Sequence, residues 1–218
     1  MEKKTILAFD FDGTLTSSFG VEDYSMAEAC RQCGKPETTE KDIHDFYGPT
    51  ESGIIRKIVG EENFGKAWSV FLDVYSKKSK ELKPFPGLLK LLEKLSKKPK
   101  VLLILLTGRS RESLEISLKD LKLSGYFVKF YWGSEKGANK GASMQKILSD
   151  YGVERKDILY IGDALEDVSM MREEKIDIVS AGYSHSAEYQ KKLEEVNPGL
   201  VAKDIQSLSK LLDKALQD

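Results

Sequence analysis

A short apolar stretch near the start of the chain ends in two aspartates that are one residue apart. The segment reads Thr5-Ile-Leu-Ala-Phe-Asp10-Phe-Asp12-Gly-Thr14-Leu15. Its apolar part, residues 6–9, is rich in strand formers and too short for a stable core helix, so it predicts a buried strand. The aspartates then lie at the carboxyl end of that strand, where ligands bind in open α/β sheets. A carboxylate there is costly unless something compensates its charge, and a divalent cation would do so.

The residue types in this segment suit acid–base and nucleophilic chemistry. Asp10 can ligate a metal and attack phosphorus as a carboxylate nucleophile. Asp12 can carry a proton to or from a leaving oxygen, and Gly13 permits the backbone geometry that turns the chain out of the strand. Two aspartates near a strand end are also typical of a solvated turn, so the interpretation depends on the other strand ends.

Length and composition exclude several classes of protein. The chain has 218 residues, enough for one large domain or a core with a small second one. Its net charge of −1 predicts neither a nucleic acid nor a membrane as partner. No apolar run approaches a membrane span, and the stretch after Lys3 and Lys4 is too short for a signal peptide. Two cysteines make no disulfide framework, so we expect a cytoplasmic protein.

The segment that follows the first strand predicts helices and no convincing strand. Apolar residues recur at helical spacing in residues 21–33, 51–59 and 64–80, with Gly and Pro between them. We therefore predict an all-helical insert over residues 16–83. Residues 1–15 and 84–218 then form the core.

The core alternates between predicted strands and helices. The purest apolar run of the chain, residues 101–106, fits a central strand that is buried on both faces. Further strands are predicted at 126–132, 157–161, 176–179 and 200–202, and helices at 88–95, 112–121, 142–151, 165–173 and 204–216. This alternation predicts the α/β class, with a Rossmann-like, doubly wound parallel sheet.

Two further strand ends carry groups that can hold a phosphoryl group. Thr107 follows the run 101–106, and its hydroxyl together with the backbone N–H of Gly108 can bind a phosphoryl oxygen at a helix N-terminus. The same threonine can cap the helix, and both roles can hold together. Lys140, at the start of a predicted helix, can neutralise the nucleophile and the transferring group. Lys136 is the alternative, because it too precedes a glycine.

A second acidic pair follows the strand predicted at 157–161, in the sequence Gly162-Asp163-Ala-Leu-Glu166-Asp167. If a helix begins at Leu165, Asp163 and Asp167 both point back towards a metal near Asp10. Mg²⁺ prefers oxygen ligands and keeps several waters, so a few carboxylates suffice. Acidic residues also favour any helix N-terminus, and Glu166 can substitute for one member of the pair.

In this order the four segments resemble the motifs of the haloacid dehalogenase-like phosphohydrolases, the first being Asp10-Phe-Asp12-Gly-Thr-Leu. The resemblance covers residues 5–15 and 84 to about 179, together with the position of the insert, which resembles a helical cap. The branch it resembles most is the phosphoglycolate-phosphatase-like one with an early cap. Arg109 departs from the Ser or Asn that is commoner after the second motif, which leaves its role open.

The resemblance implies a Mg²⁺-dependent phosphatase that acts on a small phosphorylated metabolite through an aspartyl phosphate on Asp10. It implies that Asp12 is the general acid and base, and that the backbone carbonyl of Asp12 joins the metal ligands. A monomer or homodimer is expected. The substrate stays open among phosphoglycolate, sugar phosphates, nucleotides and pyrophosphate. The alternatives are a phosphomutase and a non-catalytic binding protein.

Other residues attract attention but have simpler explanations. The Cys30-Arg-Gln-Cys33 pair lacks the four ligands of a zinc site and fits two small side chains on one helix face. The helical spacing of Trp68, Phe71 and Tyr75 predicts packing inside the insert, and His44 and His185 suit structural roles. The insert residues most suited to touch a substrate are Tyr47-Gly48-Pro49-Thr50 and Arg56.

Overall fold

The structure, a computed structural model, describes residues 4–134 and 140–217. Within these ranges six parallel strands form one sheet in the order β3-β2-β1-β4-β5-β6. They are β1 (Thr5–Phe9), β2 (Val101–Leu106), β3 (Lys129–Tyr131), β4 (Ile158–Gly162), β5 (Asp177–Ala181) and β6 (Val201–Ala202). The predicted fold class is confirmed. Because the strand order reverses beside β1, a crevice is expected at its carboxyl end.

Two groups of helices accompany the sheet. Between β1 and β2 lie α1 (Phe19–Gln32), α2 (Glu40–His44), α3 (Glu51–Val59), α4 (Glu61–Lys78) and α5 (Leu88–Ser96). The later helices are α6 (Arg111–Asp120), α7 (Lys140–Tyr151), α8 (Leu165–Glu173), α9 (Ala187–Val196) and α10 (Ile205–Ala215).

The differences from the sequence prediction have local causes. Helices α2 and α9 were not predicted, because each buries a single apolar side chain, Ile43 and Leu193 respectively, and so shows little periodicity. The strand predicted at 126–132 is shorter, since residues 124–126 form a 3₁₀ turn. Helix α7 begins at Lys140, two residues earlier than predicted.

The central strands are buried on both faces, as the apolar runs predicted. Leu7 and Phe9 of β1 belong to the apolar cluster that also contains residues of α5 and α10. Ile6 and Ala8, which point to the opposite face, belong to the cluster with residues of α7 and α8. The alternation of side chains along a strand assigns these neighbours to opposite layers. The result is a sheet between two helical layers.

The helices of the insert have an apolar cluster of their own, which includes Cys30 and Cys33 as free, buried thiols. Along α4 the rings of Phe64, Trp68, Phe71 and Tyr75 stack in sequence at centroid separations of 5.0–6.2 Å. This arrangement agrees with the packing expected for the last three. None of the helices in the described ranges is both long and apolar enough to cross a membrane.

The two connections between insert and core run side by side. Thr16 forms an antiparallel bridge with Pro84, and its hydroxyl donates to the carbonyl of Lys83 at 2.8 Å. The backbone N–H of Phe85 donates to the carbonyl of Leu15 at 3.1 Å. The insert therefore leaves and rejoins the core at one place, directly beyond the end of β1. The division into domains at residues 15/16 and 83/84 stays a prediction.

Candidate active site

Three buried aspartates meet at the carboxyl ends of β1 and β4. Asp10 follows β1, and its backbone N–H donates to the carbonyl of Ile161 in β4 at 2.8 Å. This pairing places it beside Asp163, which directly follows β4, and Asp167 in the first turn of α8. One carboxylate oxygen from each of the three aspartates lies within 4.8 Å of the other two.

Among the residues that the structure describes, Lys140 is the lysine that contacts this cluster. Its Nζ lies 2.5 Å from Oδ2 of Asp10 and 2.7 Å from Oδ1 of Asp167. Because Lys140 is the first residue of α7, the start of that helix delivers the charge to the end of β1. The rival lysine, Lys136, lies outside the described residues.

The electrostatics of Asp10 show how crowded the cluster is. Burial raises the pKa of Asp10 to about 7, against the lowering effect of Lys140, and the charges of Asp167 and Asp163 raise it further. Burial acts to lower the pKa of Lys140. The negative charges of Asp10 and Asp167 outweigh this effect and hold the pKa of Lys140 well above its ordinary value. The contact with Lys140 therefore does not outweigh the effect of burial on the pKa of Asp10.

This donor set fits a divalent cation. Carboxylate oxygens are the ligands that Mg²⁺ takes from proteins, usually one or two of them together with water and substrate oxygens. A cation would also relieve the repulsion that raises the pKa of Asp10. The geometry is therefore suited to a metal, with oxygen chemistry that favours Mg²⁺.

Two neighbours fix the position of Asp163. Gly13 has a φ of +66°, and a Cβ added to it would lie 2.0 Å from Oδ2 of Asp163. Only glycine therefore fits this turn. On the other side, His185 follows β5 and its Nε2 lies 2.8 Å from the same Oδ2. Burial raises the pKa of Asp163, while the hydrogen bond from His185 lowers it.

Asp12 has different partners. They lie in the segment just before α1 and in the loop after β2. The Nε of Arg109 donates to both carboxylate oxygens of Asp12, at 3.0 and 2.9 Å. The hydroxyl of Ser18, just before α1, donates to Oδ1. The side chain of Asp12 keeps 16% exposure, so it is oriented by protein groups and still open to the cavity.

Arg109 connects Asp12 to the insert. Its Nη1 donates to the hydroxyl of Tyr75 at 2.5 Å and to that of Ser117 at 3.0 Å, and its Nη2 lies 2.7 Å from Oε1 of Glu22. Burial opposes the charge of the guanidinium, but the carboxylates of Asp12 and Glu22 hold its pKa well above the ordinary value. Arg109, whose role the sequence left open, thus contacts both the core and the insert.

The loop after β2 and the start of α6 complete the core side of the site. Thr107 is buried, and its Oγ1 accepts from the backbone N–H of Arg109 at 3.3 Å. Helix α6 begins four residues later, and a carboxylate of the insert caps it: Ser110 donates its backbone N–H to Oε2 of Glu51 at 2.7 Å. A carboxylate at a helix N-terminus is favourable. Ser113 donates its hydroxyl to the other oxygen of Glu51.

A cavity of about 220 Å³ joins these groups to the insert. Among the described residues, its lining includes most of the residues predicted for catalysis and binding, together with Tyr47, Gly48, Pro49 and Thr50 of the insert. Arg56, the other insert candidate, is not among the lining residues. Its guanidinium lies 3.6 Å from the ring centroid of Phe64 and pairs with Glu61.

Two charged lining residues were missed by the sequence analysis. Glu22, in the first turn of α1, and Glu51, the first residue of α3, are both buried at the cavity. Burial raises the pKa of Glu22 well above its ordinary value, although Arg109 acts against it. Acidic residues are common in the first turn of any helix, so neither carried a signal that distinguishes it from an exposed one.

Comparison with known proteins places the chain in a family. The family described as haloacid dehalogenase-like hydrolase matches residues 7–181. The chain therefore belongs to the haloacid dehalogenase-like hydrolase family. The resemblance seen in its four motifs is confirmed, and so is the predicted class of enzyme, a hydrolase of phosphoric monoesters.

Individual relatives are distant in sequence and similar in length. Phosphoglycolate phosphatase 1 of Pseudomonas aeruginosa is 22% identical over 97% of this chain and 81% of its own. Phosphoglycolate phosphatase of Vibrio parahaemolyticus is 25% identical over 95% and 94% of the two chains.

Solved structures show the same fold. A predicted phosphoglycolate phosphatase from Haemophilus somnus superposes with a TM-score of 0.77 at 18% identity, over 97% of this chain and 99% of that one. A haloacid dehalogenase-like family hydrolase from Streptococcus pneumoniae gives a TM-score of 0.72 at 22% identity, over 98% and 100%.

Proposed function

We propose that the chain is a Mg²⁺-dependent phosphatase that hydrolyses a small phosphorylated metabolite through an aspartyl-phosphate intermediate on Asp10. The observation that carries the proposal is the environment of that carboxylate. Asp10 is buried at the end of β1, contacts Lys140, and shares an acidic cluster with Asp163 and Asp167. Such a cluster is suited to hold a metal beside a nucleophile.

In the first step, a carboxylate oxygen of Asp10 attacks phosphorus and forms the new O–P bond. The bond from phosphorus to the substrate oxygen breaks, and Asp12 gives its proton to the departing alcohol. Lys140 offsets charge on the transferring group, and Thr107 with the N–H of Gly108 binds its oxygens. Asp10, Asp163, Asp167 and the backbone carbonyl of Asp12 would hold Mg²⁺, which would supply positive charge that keeps Asp10 ionised and stabilises the phosphoryl oxygens.

In the second step, Asp12 takes a proton from a water molecule. The oxygen of that water attacks phosphorus, the bond to Asp10 breaks, and inorganic phosphate leaves. Asp12 therefore works once as acid and once as base, which requires a fixed position beside the nucleophile. Arg109 supplies that position through its two contacts to the carboxylate, so we assign it as a positioning residue.

The helical insert, residues 16–83, is proposed to act as a cap over this site. Its residues line the cavity opposite Asp10, and they supply the surface that meets the rest of the substrate. A closed cap excludes bulk water from the reaction. Within this class of enzyme we propose a phosphoglycolate-like or sugar-phosphate-like substrate, the former supported by the names of the curated relatives. The free thiols of Cys30 and Cys33 support a cytoplasmic location.

Release of inorganic phosphate from nitrophenyl phosphate tests the proposal. We expect turnover with Mg²⁺, none with a chelator, and recovery when Mg²⁺ is restored. Asp10→Asn should abolish turnover, because an amide is a poor nucleophile, whereas Asp45→Asn, outside the cavity, should not. Full activity in chelator would contradict the metal assignment. Near-normal rates in Asp10→Asn would show direct attack by water, and dependence on a bisphosphate activator would indicate a phosphomutase.

A further inference from the structure

Gly133, two residues beyond the end of β3, is a buried glycine beside the site. It differs from Gly13, whose left-handed φ of +66° suits glycine. The φ of Gly133 lies outside the left-handed region, so its backbone conformation is open to other residues. A requirement for glycine at this position must therefore come from the atoms around it.

Two segments approach Gly133 so closely that a side chain would not fit. A Cβ added to it would overlap the carbonyl oxygen of Gly108 and lie 2.7 Å from Cγ2 of Thr50. Non-bonded carbon atoms normally stay about 3.5–4.0 Å apart. The oxygen of Gly108 belongs to the backbone, so it cannot swing aside as the end of a flexible side chain could. Glycine at this position thus permits one backbone segment to approach another closely.

The first of these segments is the loop after β2, which the segment after β3 supports through its backbone. The N–H of Thr107 donates to the carbonyl of Tyr131 at 3.0 Å, and the N–H of Gly133 donates to the carbonyl of Arg109 at 2.8 Å. The backbone contacts between the two segments therefore continue beyond the ends of both strands. The supported loop carries Thr107 and Gly108, proposed to bind the phosphoryl oxygens, and Arg109, the proposed positioning residue of the general acid.

The second segment is the start of α3 in the insert. Thr50 directly precedes this helix, is buried, and lines the cavity. Its hydroxyl lies 2.9 Å from Oγ of Ser52, while its methyl group, Cγ2, is the atom that faces Gly133. The insert and the loop after β2 therefore meet at the same glycine. Gly133 itself is not among the described residues that line the cavity, so any effect it has on a substrate acts through these neighbours.

We propose that Gly133 is a positioning residue, whose lack of a side chain lets the insert and the phosphoryl-binding loop close on each other. The inference rests on the proposed phosphatase function and deepens it. One position sets the backbone of Thr107 and Gly108 and also the place where Thr50 of the insert rests on the core. A misplacement of about 1 Å at catalytic groups can cost about a hundredfold in rate, so a single methyl group at Gly133 should affect both binding and catalysis.

Gly133→Ala tests the proposal, with inorganic phosphate as the probe of the loop. We expect the inhibition constant of phosphate against nitrophenyl phosphate to rise at least about tenfold, and kcat/KM to fall at least about tenfold. The Mg²⁺ affinity in calorimetric titration should stay that of the unmodified enzyme, because the acidic cluster lies at the ends of β1 and β4. A purely structural defect would lower both affinities. Gly125→Ala is the matched control, since Gly125 also lacks a left-handed φ but has open space at its Cβ position.

Thr50→Ser separates the contribution of the insert. The substitution removes the methyl group that the new Cβ would meet and keeps the hydroxyl beside Ser52. In the double variant with Gly133→Ala, we expect kcat/KM to be at least about threefold higher than the two single losses combined would give. The overlap with the carbonyl of Gly108 persists in that protein, so the recovery should be partial. Such a recovery links Gly133 to the insert as well as to the loop.

The failures of the two proposals are distinguishable. A folded Gly133→Ala enzyme with unchanged phosphate inhibition, or with an equal loss of Mg²⁺ affinity, overturns the inference and leaves the phosphatase proposal standing. Additive losses in the double variant overturn the link to the insert. An unmodified enzyme that does not turn over nitrophenyl phosphate overturns the proposed function itself.

Hydrogen exchange at the Gly133 amide tests the inference in the unmodified enzyme, should Gly133→Ala not fold. This N–H is the one that donates to the carbonyl of Arg109. Mg²⁺ with inorganic phosphate should slow its exchange at least about tenfold, because a ligand on the loop after β2 opposes local opening. An unchanged exchange rate overturns the inference.

Discussion

Arg109 donates through its Nε to both carboxylate oxygens of Asp12, at 3.0 and 2.9 Å. The two residues are 97 positions apart in the chain. The same guanidinium reaches Tyr75 and Glu22 of the insert. The proposed general acid is thereby oriented by a cation that also contacts the helices above it, which makes Arg109 the first target for mutation.

Arg109→Lys should slow the enzyme and weaken the fold. Lysine keeps the charge but cannot reach Asp12, Tyr75 and Glu22 together, so Asp12 loses its fixed position. We expect kcat with an alkyl phosphate to fall about a hundredfold, and the free energy of unfolding to fall by about 1–3 kcal/mol. Steady-state kinetics and urea denaturation measure both. Arg111→Lys, on an exposed side chain paired with Glu115, is the control; equal kinetic losses in both variants would contradict a positioning role.

Asp12→Ala should discriminate between leaving groups. An alkyl alkoxide needs a proton when it departs, whereas nitrophenolate leaves without one. We therefore expect a much larger loss of rate with the alkyl phosphate, by about 10²–10⁴-fold. The second step also needs Asp12, so phosphoenzyme should accumulate with nitrophenyl phosphate and be detectable by intact-protein mass spectrometry. Equal losses for both esters with no phosphoenzyme would leave the acid–base role unsupported.

Gly13→Ala should damage the metal site more than the fold. The new Cβ would lie 2.0 Å from Oδ2 of Asp163, which has to move. We expect Mg²⁺ affinity to fall at least about tenfold, measured by calorimetric titration and by the Mg²⁺ dependence of turnover. Gly152→Ala is the matched control, since Gly152 also has a left-handed φ, +60°, but open space around its Cβ position. Both variants carry backbone strain of about 1–2 kcal/mol, so a similar loss of Mg²⁺ affinity in the two would refute the steric explanation.

His185→Ala should weaken metal binding without abolishing it. The imidazole holds Oδ2 of Asp163 at 2.8 Å and stacks on Tyr189 with ring centroids 4.1 Å apart. Partners that orient a metal ligand are typically worth about 10–100-fold in affinity. We expect a shift of that size in the Mg²⁺ titration. His44→Ala, the other histidine of the chain, lies in α2 against Tyr47 and should leave the titration unchanged. An unaltered affinity in His185→Ala would mean that Asp163 is held by other contacts.

The amino-acid sequence by itself determined the architecture of the core. The continuous apolar runs of β1 and β2 predict strands that are buried on both faces. The apolar residues of α5 and α10 recur at helical spacing, because only one face of each helix is buried, and this spacing predicts helices. The groups after each strand could be placed for the same reason: parallel strands end at one edge of the sheet. Asp10, Asp163 and Asp167 could thus be expected to meet before any distance was known, whereas the lysine beside them was left open between Lys140 and Lys136.

The tertiary structure alone decided how the insert faces the core. Glu51 reaches Ser110 across 59 positions and Tyr75 reaches Arg109 across 34, and the orientation of α1, α3 and α4 over the sheet determines these contacts. The spacing of apolar residues along the sequence does not predict that orientation. An acidic residue in the first turn of a helix reads the same whether it faces solvent, as at Glu40, or a buried arginine, as at Glu22. The sequence therefore specifies the acidic cluster through strand ends, while the side of the cavity formed by the insert exists only once the helices are packed.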